Sequence, residues 1–354
     1  MKPTEKLGAL GGNESPQGAL LKPKQKEAAP LRPKPRPATK IFAVGGGKGG
    51  VGKTFIACNL GAMMARLGNR VVLVDADFGG ANLHTYLGLD FPERTLNDLL
   101  TRRVDRLEDV IVSTSFPNLH LISGAQSVLG AANPRHEYKA RLARRLREID
   151  ADVVILDLGS GTSFNTLDSF LLSDEGIFVV VPEPTSLENA YAFIKASFFR
   201  RLRRATSNAR IKTLVDRVAD GRVEQSIRTP SDLLSAIDSM DPRAGARLRE
   251  DVSQFRPQVL MNQVRTVEDI QIGFAIRKVC RRYFGIEVNY LGYVNHDDVV
   301  WKSVRRRRLL LTEYPLSEPV EFLGRMARKL LQAGSDDLSA HTERRKSTEL
   351  QSAD

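Results

Sequence analysis

Short apolar runs recur along the chain from residue 41, and each run is hydrophobic at nearly every position. Strands buried on both faces show such continuous runs, whereas a strand with one face in water alternates apolar and polar residues. The runs therefore predict a parallel sheet that is covered on both sides. The predicted strands are residues 41–44, 71–74, 119–122, 153–156, 177–181, 258–261 and 288–294.

Segments with helical spacing of apolar residues follow several of these strands. An apolar residue at every third or fourth position gives a helix one apolar face. The alternation of strands and helices predicts a doubly wound α/β fold, with a mostly parallel sheet of seven to eight strands flanked by helices. The clearest predicted helices are residues 54–68, 139–149, 186–202 and 319–332.

One segment, about residues 205–256, interrupts the alternation because it contains no strand pattern. It is interpreted as a helical insertion on the α/β core. Asn208, Ser231 and Asp241, the last followed by Pro242, are predicted to begin its helices, since short polar side chains cap helix N-termini and proline suits the first turn. Two roles stay open for the insertion: packing against the core, or a surface for a partner or a dimer.

Composition separates the two ends of the chain from its centre. Residues 1–40 are rich in Pro, Gly, Ala and Lys and have almost no aromatic or β-branched residues, so a disordered basic tail is predicted there. Residues 333–354 are predicted to be a disordered polar tail, which leaves residues 41–332 as one domain. The basic tail is either a solvated linker or an electrostatic tether.

The charge balance and the cysteines limit the classes of function. The chain has 53 Lys and Arg against 42 Asp and Glu, a net charge of +11, which favours acidic partners. Cys58 and Cys280 lie far apart and match no zinc or redox spacing. No apolar run resembles a signal peptide or a membrane span. A cytoplasmic protein is therefore expected, either in solution or bound peripherally at a membrane or nucleoid.

The stretch GGGKGGVGKT, residues 45–54, contains the pattern GxxxxGK[ST] between a predicted strand and a predicted helix. Its glycines allow backbone N–H groups to turn towards an anion, and the following helix N-terminus adds partial positive charge. Lys53 is expected to reach the β and γ phosphates of a nucleotide, and the Thr54 hydroxyl to bind Mg²⁺. The predicted nucleotide contacts in this loop are Gly47, Gly49, Gly50, Val51, Gly52, Lys53 and Thr54.

A second lysine, Lys48, lies where it cannot easily share the phosphates that Lys53 binds. With both lysines, KGGVGKT resembles the deviant Walker A loop of the MinD/ParA ATPases. The resemblance implies a homodimer that forms around ATP and Mg²⁺, with Lys48 reaching the nucleotide of the other subunit. It also implies slow ATP hydrolysis that a partner stimulates, with Lys48, Lys53 and Asp77 as the catalytic residues.

Two predicted strands end in aspartates, at the sheet edge where ligands bind in open α/β folds. Asp157 follows VVIL as a Walker B aspartate does, and it is expected to bind Mg²⁺. By the resemblance, Asp77 positions the attacking water and Asp75 lies near the metal. Gly161 is expected to leave the backbone room to approach the γ-phosphate. Leu158 stands where the family commonly has a hydroxyl residue.

The base of the nucleotide is expected to lie beside the strand at 258–261. Asn262 matches the family's asparagine that hydrogen-bonds adenine, and an amide offers both a donor and an acceptor to that edge. Asn295, in the loop 295–298, stands where relatives have the proline of an adenine wall.

Residues 182–195 and 292–315 resemble one subgroup of the family, the flagellar-number regulators FlhG and FleN. The resemblance implies a spatial regulator of flagellar number or placement, which acts through an unidentified protein partner. The DQAxxLR-like element of that subgroup is not found in residues 1–40. The alternatives are a ParA-like partition ATPase bound to the nucleoid and a catalytically inactive nucleotide-sensing scaffold.

Two surface features bear on where such a protein binds. The amphipathic segment 319–332 is either a core helix or a contact with an anionic membrane. The arginine runs 200–204 and 305–308 are either solvated faces or nonspecific contacts with DNA phosphates.

Overall fold

The computed structural model of the protein describes residues 39–77, 80–124, 142, 144–222, 227 and 229–332. The two predicted tails therefore lie outside the described residues, except for Thr39 and Lys40. The strands are β1 (Lys40–Gly45), β2 (Val71–Ala76), β3 (Ile111–Ser113), β4 (Leu119–Ile122), β5 (Val153–Leu158), β6 (Glu175–Val180), β7 (Gln258–Val264) and β8 (Asn289–Asn295).

Helices fill most of the connections between these strands. In chain order they are α1 (Lys53–Arg66), α2 (Leu83–Tyr86), α3 (Leu96–Leu100), the helical residues 144–148 (α4), α5 (Phe164–Leu172), α6 (Pro184–Ala205), α7 (Ala209–Ala219), α8 (Pro230–Met240), α9 (Pro242–Ser253), α10 (Val267–Phe284), α11 (Asp298–Arg305), α12 (Leu310–Glu313) and the helical residues 318–332 (α13).

The strands form one sheet in the order β3-β4-β2-β5-β1-β6-β7-β8, and every pair is parallel except β3 with β4. This confirms the predicted doubly wound fold, and all seven predicted runs are strands. β3 was not predicted because it has three half-buried residues and pairs antiparallel at the sheet edge.

The core lies on both faces of the sheet, as the continuous apolar runs predicted. In β1, Ile41 and Ala43 pack on the face that carries α5, α6 and α10, whereas Phe42 and Val44 pack on the face that carries α1 and α13. All four side chains are fully buried. Because successive strand residues point to opposite faces, only a sheet covered on both sides requires apolar residues at every position.

The segment between α6 and β7 is helical, as its pattern indicated. α7, α8 and α9 bury Ile211, Ile237 and Leu248 in the same cluster as α6. Asn208 and Asp241 cap α7 and α9 as predicted. The prediction for Ser231 was wrong: Thr229 caps α8, since its hydroxyl accepts a hydrogen bond from the Asp232 N–H and Pro230 occupies the first turn.

The arginine run 200–204 joins α6 to its neighbours. Arg200 makes a two-point contact with the buried carboxylate of Asp168 on α5, at 2.8 Å for each hydrogen bond. Arg201 and Arg203 pair with acidic residues on α9 and α7, each at 2.8 Å. These ion pairs therefore link α6 to α5, α7 and α9. The DNA interpretation requires a row of unpaired cations, and these side chains do not form one.

The apolar face of α13 is inside the protein. Val320, Leu323, Met326, Ala327 and Leu330 are all buried in the cluster that contains α1. Of the two interpretations of this segment, the structure supports the core helix. Within the described ranges, no helix is long and apolar enough to cross a membrane.

Candidate nucleotide-binding site

The loop between β1 and α1 needs glycine where its backbone turns. Gly50 and Gly52 have φ values of +80° and +93°, in the left-handed region that favours glycine. A side chain at Gly52 would also collide with the amide nitrogen of Asn262, and one at Gly47 would collide with the backbone of Asn189 on α6. The loop is therefore packed tightly between β7 and α6.

Lys53 is the buried cation of this loop. Its Nζ atom lies 3.4 Å from the Lys48 carbonyl oxygen. Burial lowers the pKa of Lys53, while the carboxylates of Asp157 and Asp77 act in the opposite direction. An ammonium group held at the start of α1 beside an anion-binding loop suits a phosphate group.

Lys48 points elsewhere. Its Nζ atom lies 2.8 Å from Glu183 Oε2 and 2.9 Å from the Thr185 hydroxyl, at the beginning of α6. The Lys48 side chain is 37% exposed, whereas Lys53 is buried. The two lysines of the loop are thus separated, with Lys53 turned inwards and Lys48 held at the surface.

Asp75 and Asp157 stand side by side, because they are register partners on the adjacent strands β2 and β5. Asp75 is fully buried, and its carboxylate accepts hydrogen bonds from the backbone N–H groups of Leu83 at 3.0 Å and Asp77 at 3.2 Å. Burial raises the pKa of Asp75 to about 6. This residue fixes the backbone that presents Asp77; its predicted place near a metal stays a prediction.

Asp157 is the carboxylate that fits a metal. Burial, together with the neighbouring Asp75, raises its pKa to about 8, although the Thr54 hydroxyl bonds to the carboxylate and Lys53 lies close by. Its Oδ1 atom is buried and has no hydrogen-bond partner among the described residues. A desolvated oxygen with no partner, next to Thr54, is where a Mg²⁺ ion would be bound.

The described residues contain no group of three or more His, Cys, Asp or Glu side chains that could hold a metal. Mg²⁺ commonly takes one or two protein ligands and completes its shell with water and phosphate oxygens. Thr54 and Asp157 therefore fit Mg²⁺ bound together with a nucleotide.

The loops that follow β2 and β5 meet each other, and the loop after β5 also meets the P-loop. A side chain at Gly159 would lie within 2.9 Å of Asp77 Oδ1, so glycine lets the aspartate approach. The Gly161 N–H donates to the Gly46 carbonyl at 3.3 Å, with φ at +87°. Leu158, where relatives often have a hydroxyl residue, turns its side chain into the core.

Asn262 has a role that its sequence position did not reveal. It is buried, and its Nδ2 donates to the Val51 carbonyl at 2.8 Å, 211 residues away in the chain. The amide thus supports the P-loop from β7. Asn295, on β8, donates to Glu318 at 2.9 Å. The predicted contact of Asn262 with adenine stays a prediction.

The chain is similar to known proteins over most of its length. Residues 39–212 match the family described as an AAA domain. The chain is 28% identical to the antiactivator FleN of Pseudomonas aeruginosa over 284 residues, which cover 79% of this chain and 81% of FleN. It is also 28% identical to the septum site-determining protein MinD of Synechocystis over 282 residues, which cover 76% of this chain and 98% of MinD.

Solved structures show the same fold. MinD of Pyrococcus horikoshii, complexed with Mg-ADP, has a TM-score of 0.57 and 21% identity, and the match covers 82% of this chain and 96% of that one. A ParA family ATPase of Chlorobium tepidum has a TM-score of 0.55 and 19% identity, covering 82% and 99%.

We expect Asp157→Asn to stabilise the nucleotide-free protein at neutral pH. Because the folded pKa is raised, the stability linked to Asp157 is complete below its unfolded pKa, about 4, and is lost as pH rises to about 8. Melting temperatures between about pH 5 and 8 should therefore fall more steeply for the wild type than for the variant. The exposed Asp90→Asn serves as control. Parallel curves for wild type and Asp157→Asn would show that Asp157 does not hold its proton.

Asn262→Ala distinguishes support of the loop from recognition of the base. Loss of the hydrogen bond to Val51 should weaken binding of ATP, GTP and tripolyphosphate by a similar factor, about tenfold, as measured by calorimetry. Asn69→Ala, which breaks a similar amide-to-carbonyl hydrogen bond at the opposite end of α1 from the P-loop, is the control. A loss confined to ATP would instead support an adenine contact.

Proposed function

The chain belongs to the MinD/ParA family of P-loop ATPases, and we propose that it dimerises around Mg²⁺ and ATP, binds a partner in that state and is reset by slow hydrolysis. The observation that carries this proposal is the separation of Lys53, which is buried in its own loop, from Lys48, which is held at the surface by Glu183.

The position of Lys48 suits a contact with a second subunit. Its ion pair with Glu183 is solvent-exposed, and exposed pairs contribute only about 0–1 kcal/mol. The lysine can therefore leave Glu183 at little cost when a phosphate is offered from outside. Lys53 cannot take this role, because it is buried beneath its own loop.

The remaining residues divide the work of hydrolysis. Thr54 and Asp157 would hold Mg²⁺, which neutralises charge on the phosphates when bound. Lys53 would contact the same phosphates from α1. Asp77 would orient the attacking water, and Asp75 holds the backbone N–H of Asp77 in place. Phosphoryl transfer to water needs such positioning and charge stabilisation, and no protein nucleophile.

Spatial regulation is the cellular role we propose, with flagellar number or placement as the leading candidate. Support comes from FleN, which is an antiactivator, and from MinD, which determines the septum site. A MinD of Aquifex aeolicus with the same fold has been solved in complex with MinC, so a relative binds a protein partner. A nucleoid partner is less favoured, since arginines 200, 201, 203 and 204 pair within the chain.

Lys48→Ala tests the dimer. We expect the wild type to double its mass in light scattering with a nonhydrolysable ATP analogue but not with ADP, whereas Lys48→Ala binds the analogue and stays monomeric. Lys278→Ala, an exposed lysine on α10, controls for loss of one charge. A wild type that binds the analogue yet remains monomeric would refute the dimer.

Asp77→Ala tests the chemistry separately. Removal of the carboxylate should lower the hydrolysis rate at least about 100-fold while dimerisation with ATP persists, since the residue orients water and does not bind the phosphates. Phosphate release measures turnover, and light scattering measures the dimer. Undetectable wild-type turnover together with tight ATP binding would favour the nucleotide-sensing scaffold.

A further inference from the structure

The outer face of α11 carries an exposed aromatic ring. Trp301, the only tryptophan of the chain, is 60% exposed. The Arg305 guanidinium lies over its ring at 5.1 Å from the centroid. Tryptophan is costly to leave in water, and Trp and Arg are enriched among the residues that dominate protein interfaces.

Residues 302–308, at the end of α11 and in the turn after it, carry an excess of positive charge. Lys302 and Arg305 have no acidic partner among the described residues, and Arg306 and Arg308 share the single carboxylate of Glu313, at 3.0 and 3.3 Å. Cations at the end of a helix offset its dipole, which accounts for part of this cluster. The dipole does not account for the exposed ring beside it.

Arg307 joins α11 to the segment that follows Asp77. Its backbone is left-handed, with φ at +55°, a position after a helix where glycine is usual. Its side chain donates to the carbonyls of Thr85 at 3.3 Å and Leu89 at 2.6 Å, while its own carbonyl packs against Gly88. A strained backbone is kept where the side chain makes contacts that glycine could not.

A second contact joins this region to the P-loop helix. The Leu310 N–H donates to the Asn59 side chain at 3.0 Å, and the Asn59 amide donates to the Phe55 carbonyl at 2.9 Å. Both atoms of this buried amide are therefore used. Arg307 and Leu310 therefore join the region after α11 to two elements: α1, which begins at Lys53, and the segment 85–89, which follows the Asp77 loop.

We propose that Trp301, Lys302, Arg305, Arg306 and Arg308 form a docking surface for a short acidic segment of a partner protein that carries an apolar anchor. The apolar anchor would pack on the Trp301 ring and exclude water from it. The cations would attract the carboxylates of the segment by charge complementarity. The surface is a short helix and the turn after it, with a few cations, whereas duplex DNA or a lipid surface is bound by wide arrays of them. The proposal that this docking changes with the bound nucleotide rests on the proposed function. The docking itself does not depend on that function.

A synthetic peptide of glutamates interrupted by one phenylalanine and one leucine tests the surface on the full chain. Emission of Trp301 reports contact directly, and anisotropy of the labelled peptide gives the affinity of every variant. We expect saturable binding with a shift of the emission to shorter wavelength. Trp301→Ala and the double variant Lys302→Glu with Arg305→Glu should each weaken binding at least about tenfold.

The matched control is the double variant Arg243→Glu with Arg247→Glu on α9, which removes the same charge from exposed, unpaired positions within the described chain. Its affinity should change less than about twofold. Equal losses in both double variants, equal binding of a peptide with glutamines in place of glutamates, or no saturable binding would overturn the proposal. So would an emission shift produced by duplex DNA, anionic vesicles or self-association but not by the peptide.

Arg307→Gly tests the link to the nucleotide site. This variant relieves the backbone and loses only the contacts with Thr85 and Leu89. The wild type should bind the peptide with different affinity in ADP and in the ATP analogue, and Arg307→Gly should abolish that difference. Nucleotide binding is measured separately by calorimetry. A wild type that does not bind nucleotide would contradict the proposed function. A wild type that binds nucleotide normally but does not bind the peptide would contradict only the docking surface.

Discussion

The site depends on the burial of ionisable groups at the carboxyl edge of the sheet. Asp75 and Asp157 are in register on the adjacent strands β2 and β5, and Lys53 is buried at the start of α1, which follows the neighbouring strand β1. Desolvation disfavours the charged form of each group, which raises the pKa of both aspartates and lowers that of the lysine. A divalent cation would compensate the charge of the aspartates, and phosphates would compensate the charge of Lys53. A bound nucleotide with its metal would therefore stabilise the charged forms of these groups.

Hydrogen bonds extend this constraint outwards from the cluster. Asp75 holds the backbone of Asp77 and Leu83, and the segment that follows is held at Thr85 and Leu89 by Arg307. A series of contacts therefore joins Asp75 to the turn that follows α11. Because Asn262 supports the P-loop from the other side, the loop is held by both β7 and α6.

Helix packing explains why the two arginine-rich runs differ in their ion-pair partners and in their exposure. The run at 200–204 lies on α6, which is surrounded by α5, α7 and α9, so its arginines find aspartates within the chain. The run at 305–308 lies at the end of a surface helix. There Glu313 pairs with two arginines, Arg307 bonds to the backbone carbonyls of Thr85 and Leu89, and Arg305 lies at the surface beside Trp301.

The local pattern alone determined the sheet and the phosphate loop. A strand buried on both faces must be apolar throughout, and a loop that wraps phosphate needs glycines and a lysine at fixed spacing, so both are visible in short stretches. β3 and α10 were missed because they carry little pattern: the 18 residues of α10 bury only Gly273, Cys280 and Phe284.

Tertiary structure decided the roles that depend on distant residues. The tie between Asn262 and Val51, the partners of the arginines and the burial of the apolar face of α13 each join parts of the chain that no local pattern relates. The physical reason is that periodicity and turn chemistry are properties of neighbouring residues. Burial and hydrogen-bond partners are instead set by which elements the folded chain brings together.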